Sequence, residues 1–183
     1  MKIIVIDDER LARKEMISLL SNYNNVQVVD ECSNVDDAKV SIETHQPDLI
    51  FLDIEMPEKN GFDLLAELDS VPKVIFVTAY NDYALKAFDV NAIGYLTKPV
   101  DPERLKNVIT PILDLHLNKE PVLEQSKEKL SLDHQIFLKD GEKCWFVSLK
   151  DIRYFESEGN YIRVFFKNEK PLILKSLNLL EEK

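Results

Sequence analysis

Short apolar runs alternate with amphipathic stretches through the first two thirds of the chain. Lys2 to Ile6 has a buried-strand pattern, Val26 to Val29 is strand-like, and Asp48 to Leu52, Val74 to Val77 and Ile93 to Leu96 repeat it. Between these runs, Leu11, Met16, Leu19 and Leu20 share a helical face, Val35 to Thr44 is helical, and Phe62 to Leu68 and Tyr83 to Val90 have helical spacing. Five strands alternating with helices predict an α/β fold, a doubly wound parallel sheet covered on both faces.

A last helix is predicted from about Val100. Asp101 is suited to accept hydrogen bonds from the first turn, and Pro102 at the first helical position sacrifices no needed donor. Leu105, Val108, Ile109 and Ile112 form its apolar face, and Pro111 is expected to kink or end it near Asn107 to Thr110. The polar stretch from Leu117 to Lys129, with Pro121, reads as a linker. Beyond it the period shifts to β: Gln135 to Leu138, Trp145 to Val147, Ile152 to Phe155, Tyr161 to Phe166 and Leu172 to Leu174. Asp140-Gly141, Glu158-Gly159-Asn160 and Lys167-Asn168 supply turn chemistry. Ser176 to Glu182 has the pattern of a helix capped by Ser176.

Charge sharpens this division. The net charge of the 183 residues is −10; residues 1–118 hold 21 acids and 11 bases, and residues 119–183 hold 12 of each. An acidic first segment is a poor partner for nucleic acid, whereas a neutral second one neither favours nor forbids it. No apolar run approaches the roughly 18 residues a membrane helix needs, and Ile3 to Ile6 is too short and too soon followed by acids for a signal peptide. A cytoplasmic protein without membrane contact is expected. Cys32 and Cys144 lie too far apart to suggest a disulfide framework or zinc site and read as core residues; the three histidines share no ligand spacing. Any metal must then be held by oxygen.

Open parallel sheets bind ligands beyond the carboxyl ends of their strands. Asp7 and Asp8 follow the first strand, Asp53 ends the third, Thr78 follows the fourth and Lys98 the fifth. Singly, such residues are ordinary turn or capping residues. Jointly they place three acids, a hydroxyl and an ammonium along one sheet edge. Gathered carboxylates repel one another, and a hard divalent cation such as Mg²⁺ relieves that. The arrangement points to a phosphoryl site: Asp53 is the candidate nucleophile that forms an acyl phosphate, with Lys98 and Thr78 on phosphoryl oxygens.

These residues resemble the receiver domain of bacterial two-component response regulators. The match runs through IIVIDDE (3–9), DLIFLDIEMPEKNGFDLL (48–65), VIFVTAY (74–80) and GYLTKPV (94–100). The resemblance implies a flavodoxin-like receiver over residues 1–118. Asp53 is its phosphoacceptor; Asp8 and Asp53 hold Mg²⁺ with Asp7 in support, and Glu55 adds its backbone carbonyl. Thr78 and Tyr95 form a switch pair, Lys98 is the phosphate partner, and the bond to Pro99 is cis. It further implies a sensor histidine kinase as donor and a homodimer on phosphorylation, through the face that carries Tyr83 to Val90, Tyr95 and Leu105 to Val108.

After a linker over 119–128, residues 129–183 resemble a LytTR DNA-binding domain through DIRYFESEGNYIRVFF (151–166) and KSLNLLEE (175–182). The family continues into further basic strands, so this small mainly-β domain is expected to be incomplete. Promoter DNA is the expected partner of the full-length protein, with weak or no binding by this chain; Asn160 and Arg163 are the candidate DNA contacts. Two alternatives compete with a transcription regulator that is not an enzyme. One is a Mg²⁺-dependent phosphohydrolase with an aspartyl-phosphate intermediate. The other is a receiver whose β domain binds protein.

Overall fold

The computed structural model describes residues 1–79, 93–117, 135–141, 143–159 and 161–173. The chain forms two compact units, Met1–Leu68 with Pro72–Leu123 and Asp69–Val71 with Glu124–Lys183.

In the first unit β1 (Lys2–Ile6), α1 (Arg10–Leu20), β2 (Gln27–Cys32), α2 (Val35–His45), β3 (Leu49–Leu52), α3 (Gly61–Glu67), β4 (Lys73–Thr78), β5 (Gly94–Thr97) and α4 (Pro102–Leu117) succeed one another along the chain. The strands form one parallel sheet in the order β2-β1-β3-β4-β5. Every residue of β3 is buried, as are all but the first of β1 and β4, because both sheet faces are covered. On one face Ile3, Val5, Phe51, Ile75 and Val77 pack with Met16 and Leu20 of α1 and with Leu105, Ile109 and Ile112 of α4. On the other, the rings of Phe62 and Phe76 meet at 5.1 Å.

Three expectations need correction. Leu11 is 79% exposed and does not join the apolar face of α1; it stands at the start of the helix, beyond the end of β1. Helix α4 runs through Pro111 to Leu117. Pro111 and Asn107, whose carbonyl loses its i+4 donor, are both solvent-exposed, while Leu105, Ile109, Ile112 and Leu113 anchor the buried side across the break. The Asn107 carbonyl therefore stays on the solvent side, and the helix continues past it. Finally, Cys144 is only half-buried, unlike Cys32.

Strand β2 also extends to Cys32 through Asp30 and Glu31, which an edge strand tolerates. The Asp101 side chain accepts the Arg104 N–H at 2.9 Å and caps α4 as anticipated.

The second unit holds β6 (Gln135–Asp140), β7 (Lys143–Ser148), a 3₁₀ turn (Leu149–Asp151), β8 (Ile152–Glu158), β9 (Tyr161–Phe166) and β10 (Leu172–Ile173). β6 and β7 form an antiparallel hairpin, and β10-β9-β8 an antiparallel sheet. Gly141 and Gly159 adopt positive φ in the turns between strands, where a side chain would be strained. Leu138, Val147, Ile162, Val164, Phe166 and Ile173 form the core, with Trp145 edge-on to Phe166 at 6.1 Å. The opposite sheet face carries a stacked Tyr154–Phe165 pair at 4.2 Å. The helix expected over 83–90, the linker, Asn160 and the closing helix over 176–182 lie outside the described residues.

Candidate functional site

Sheet order changes direction at β1: β2 lies to one side of it and β3 to the other, which opens a crevice at their carboxyl ends. Backbone bonds fix the residue just past each strand. The Asp7 N–H donates to Cys32 O at 3.1 Å, the Asp53 N–H to Ile6 O at 2.9 Å and the Lys98 N–H to Thr78 O at 2.9 Å. The ladder therefore continues one residue past the strands and holds Asp7, Asp53 and Lys98 along one edge.

Asp7, Asp8 and Asp53 each offer a carboxylate oxygen, all within 4.8 Å of one another. Asp7 and Asp53 are buried, and Asp8 is accessible. Such a set of hard oxygen donors fits a small divalent cation. The Lys98 ammonium bridges the two buried members, 2.6 Å from Asp53 Oδ2 and 2.7 Å from Asp7 Oδ2. The other oxygen of each accepts a backbone N–H two residues on: Glu55 N–H to Asp53 Oδ1 at 3.2 Å, and Glu9 N–H to Asp7 Oδ1 at 2.9 Å. Both acids are thus oriented by the turns that come directly after them.

Burial raises the Asp7 carboxyl above its usual range, although the Lys98 and Glu9 hydrogen bonds oppose this. For Lys98, burial alone would lower the ammonium. Hydrogen bonds to Asp53 and Asp7, reinforced by their charges, more than offset it and leave Lys98 well above its ordinary value. Lys98 is a fixed cation at neutral pH.

Thr78 is fully buried at the end of β4. Tyr95 is half-buried on β5, paired with Phe76, and Lys98 joins Pro99 through a cis peptide bond. Glu55 is exposed at the loop after β3. In the second unit Arg163 donates to Glu158 through Nε at 3.0 Å and Nη2 at 2.9 Å, so its guanidinium is already engaged by an acid.

The structure adds residues that spacing did not single out. Glu9 Oε2 lies 3.4 Å from Lys98 Nζ at the rim. A Cβ on Gly61 would stand 2.4 Å from the backbone oxygen of Asp53, so only glycine lets α3 begin this close to the site. Asn60 and Asp63 form a reciprocal capping box around that same turn. A cavity of about 250 Å³ opens beside the cluster, lined in part by Glu9, Leu11, Glu15, Lys98 and Pro99.

The family model of the response regulator receiver domain matches residues 3–110. The sensory transduction protein LytT of Bacillus subtilis is 32% identical over 186 residues, spanning 100% of this chain and 76% of that protein. LytT of Enterococcus faecalis is 34% identical over 189 residues with the same coverage. The solved response regulatory domain of protein mrkE from Klebsiella pneumoniae is 28% identical with a TM-score of 0.58, covering 66% of this chain and 100% of that one. An acidic cluster at the switch point of a five-stranded parallel sheet, in a chain that LytT proteins match over its whole length, means that the chain belongs to the two-component response regulators of the LytTR family.

Proposed function

We propose that Asp53 is the phosphoacceptor, and that residues 1–118 are a receiver joined by a linker over 119–128 to a LytTR-type DNA-binding domain over 129–183. The observation that carries this is the buried Asp53 carboxylate, held between Lys98 and two further acids. A sensor histidine kinase is the donor. An Asp53 oxygen attacks phosphorus, the N–P bond breaks, and the imidazole nitrogen leaves with the electron pair and takes up a proton. Lys98 passes from the carboxylate to a phosphoryl oxygen, while the Glu55 N–H keeps Asp53 oriented.

Asp8, Asp53 and the Glu55 carbonyl would hold Mg²⁺, with Asp7 in support; when bound, the ion neutralises charge on the transferring phosphoryl group. Thr78 then turns toward the phosphoryl group, Tyr95 repacks, and the chain forms a homodimer. Asn160 and Arg163 are the proposed contacts to promoter DNA, and Arg163 reaches a phosphate only on leaving Glu158.

A phosphohydrolase with an aspartyl-phosphate intermediate is the competing reading. It needs a general acid near the leaving group, and the family's regulators supply a switch instead. Incubation with acetyl phosphate and, separately, with a small phosphomonoester, each with Mg²⁺, separates the two. One phosphoryl group per chain with slow release supports the regulator; sustained turnover of small phosphomonoesters contradicts it.

A further inference from the structure

Arg13 lies on α1, outside the acidic cluster, yet its side chain is only 12% exposed. Its Nη1 donates to the backbone oxygen of Asp7 at 2.6 Å and to that of Asp8 at 3.2 Å, and its Nε donates to Glu31 Oε2 at 3.2 Å. One guanidinium therefore joins the first helix, the turn after β1 and the end of the edge strand β2. We infer that Arg13 is a positioning residue for the divalent cation, acting through the backbone of Asp7 and Asp8. The inference rests on the proposed Mg²⁺ site.

A carboxylate's direction is set first by the peptide planes that flank it. Holding the Asp7 and Asp8 carbonyls on one nitrogen fixes two successive planes, and so the directions in which the side chains leave the backbone. Arginine suits this task, because its planar fork presents several donors in fixed geometry and stays charged at every relevant pH. A lysine in its place supplies a point charge without the fork.

The charge is handled as well. A lone cation behind three acids would oppose a divalent ion at their centre. Glu31 pairs with the guanidinium, and the clamp as a whole adds little net charge. Supporting partners of this kind hold metal ligands in place, and their loss typically costs about 10- to 100-fold in metal affinity.

The test is calorimetric titration of the whole chain with Mg²⁺ alone, without phosphodonor, on wild type, Arg13→Met, Arg13→Lys, Glu31→Gln and Asp8→Ala. Methionine keeps the packed stem and removes every donor. The expected result is a Kd for Mg²⁺ raised about tenfold in Arg13→Met, a smaller rise in Arg13→Lys, and the smallest in Glu31→Gln, which keeps the bonds to the carbonyls. A merely structural role would lower thermal stability and leave Mg²⁺ affinity unmoved, which overturns the inference. Should Arg13→Met not fold, the order of wild type, Glu31→Gln and Arg13→Lys decides, and equal affinities overturn it. Wild type and Asp8→Ala that bind Mg²⁺ alike overturn the metal site itself, and the inference with it. Loss in Asp8→Ala but not in Arg13→Met overturns the inference alone.

Discussion

The Lys98 ammonium lies 2.6 Å from Asp53 Oδ2, across 45 residues of sequence. It lies almost as close to Asp7, so one largely buried cation compensates two buried carboxylates. Without it those acids repel each other in a medium that screens poorly. The pair is therefore a structural element as well as part of the proposed phosphorylation site.

Lys98→Met should destabilise the protein by on the order of 3 kcal/mol at neutral pH, because it leaves uncompensated buried charge. The folded state holds the lysine proton more tightly than the ordinary value of 10.5. This stabilisation is thus fully present below that pH and lost as pH rises through the raised folded value. In the variant, Mg²⁺ should recover part of the loss. Urea denaturation with and without Mg²⁺ reads this, and a variant as stable as wild type without the ion would refute the compensation.

Pro111→Ala should stabilise the first unit by about 1 to 3 kcal/mol, since it restores a donor to the Asn107 carbonyl in a helix that already continues past it. Denaturant midpoints compare the two. An unchanged or lowered midpoint would mean that the proline's restriction of the unfolded chain outweighs the missing bond.

Burial pushes the Cys32 thiol up to about 11 from an ordinary 9.0, with a Ser41 hydrogen bond opposing. The unfolded chain gives up this proton first, so stability should fall between those two pH values, by up to about 3 kcal/mol. Cys32→Ala starts from a lower stability but should lose this part of the decline. Parallel stability curves for the two proteins would exclude the thiol as its source.

Arg163 is held by Glu158 through two bonds, which should limit its reach to a phosphate. Glu158→Gln should raise affinity for DNA at low salt, and Arg163→Ala should lower it and reduce the salt slope by about 1. Mobility shifts over a salt series measure both. If neither substitution changes affinity, Arg163 is no DNA contact.

The acidic edge was legible because strand ends announce themselves: an apolar run stops, and the next residue faces the crevice. Asp7, Asp8 and Asp53 are found by that rule, and the cis bond at Pro99 by the resemblance. Arg13 and Gly61 were not legible in the same way. Their roles rest on backbone oxygens, which carry no residue identity, and at Gly61 on a space in the folded chain too small for a Cβ. Pro111 misled because local propensity favours a break there, whereas four buried side chains of α4 hold the helix together. Leu11 shows the converse, an apolar residue on the correct face by period but beyond the covered part of the sheet. Cys144 lies on a two-stranded hairpin, which buries its residues less completely than a sheet covered on both sides.

The most direct test of the phosphoacceptor is intact-mass and peptide-level mass spectrometry after treatment with acetyl phosphate and Mg²⁺, on wild type and on Asp53→Asn. The amide is nearly isosteric with the carboxylate but is a poor nucleophile. The predicted result is one added phosphoryl group on Asp53 in wild type and none in the folded variant. Full phosphorylation of Asp53→Asn, or a phosphoryl group mapped to another residue of wild type, would contradict it.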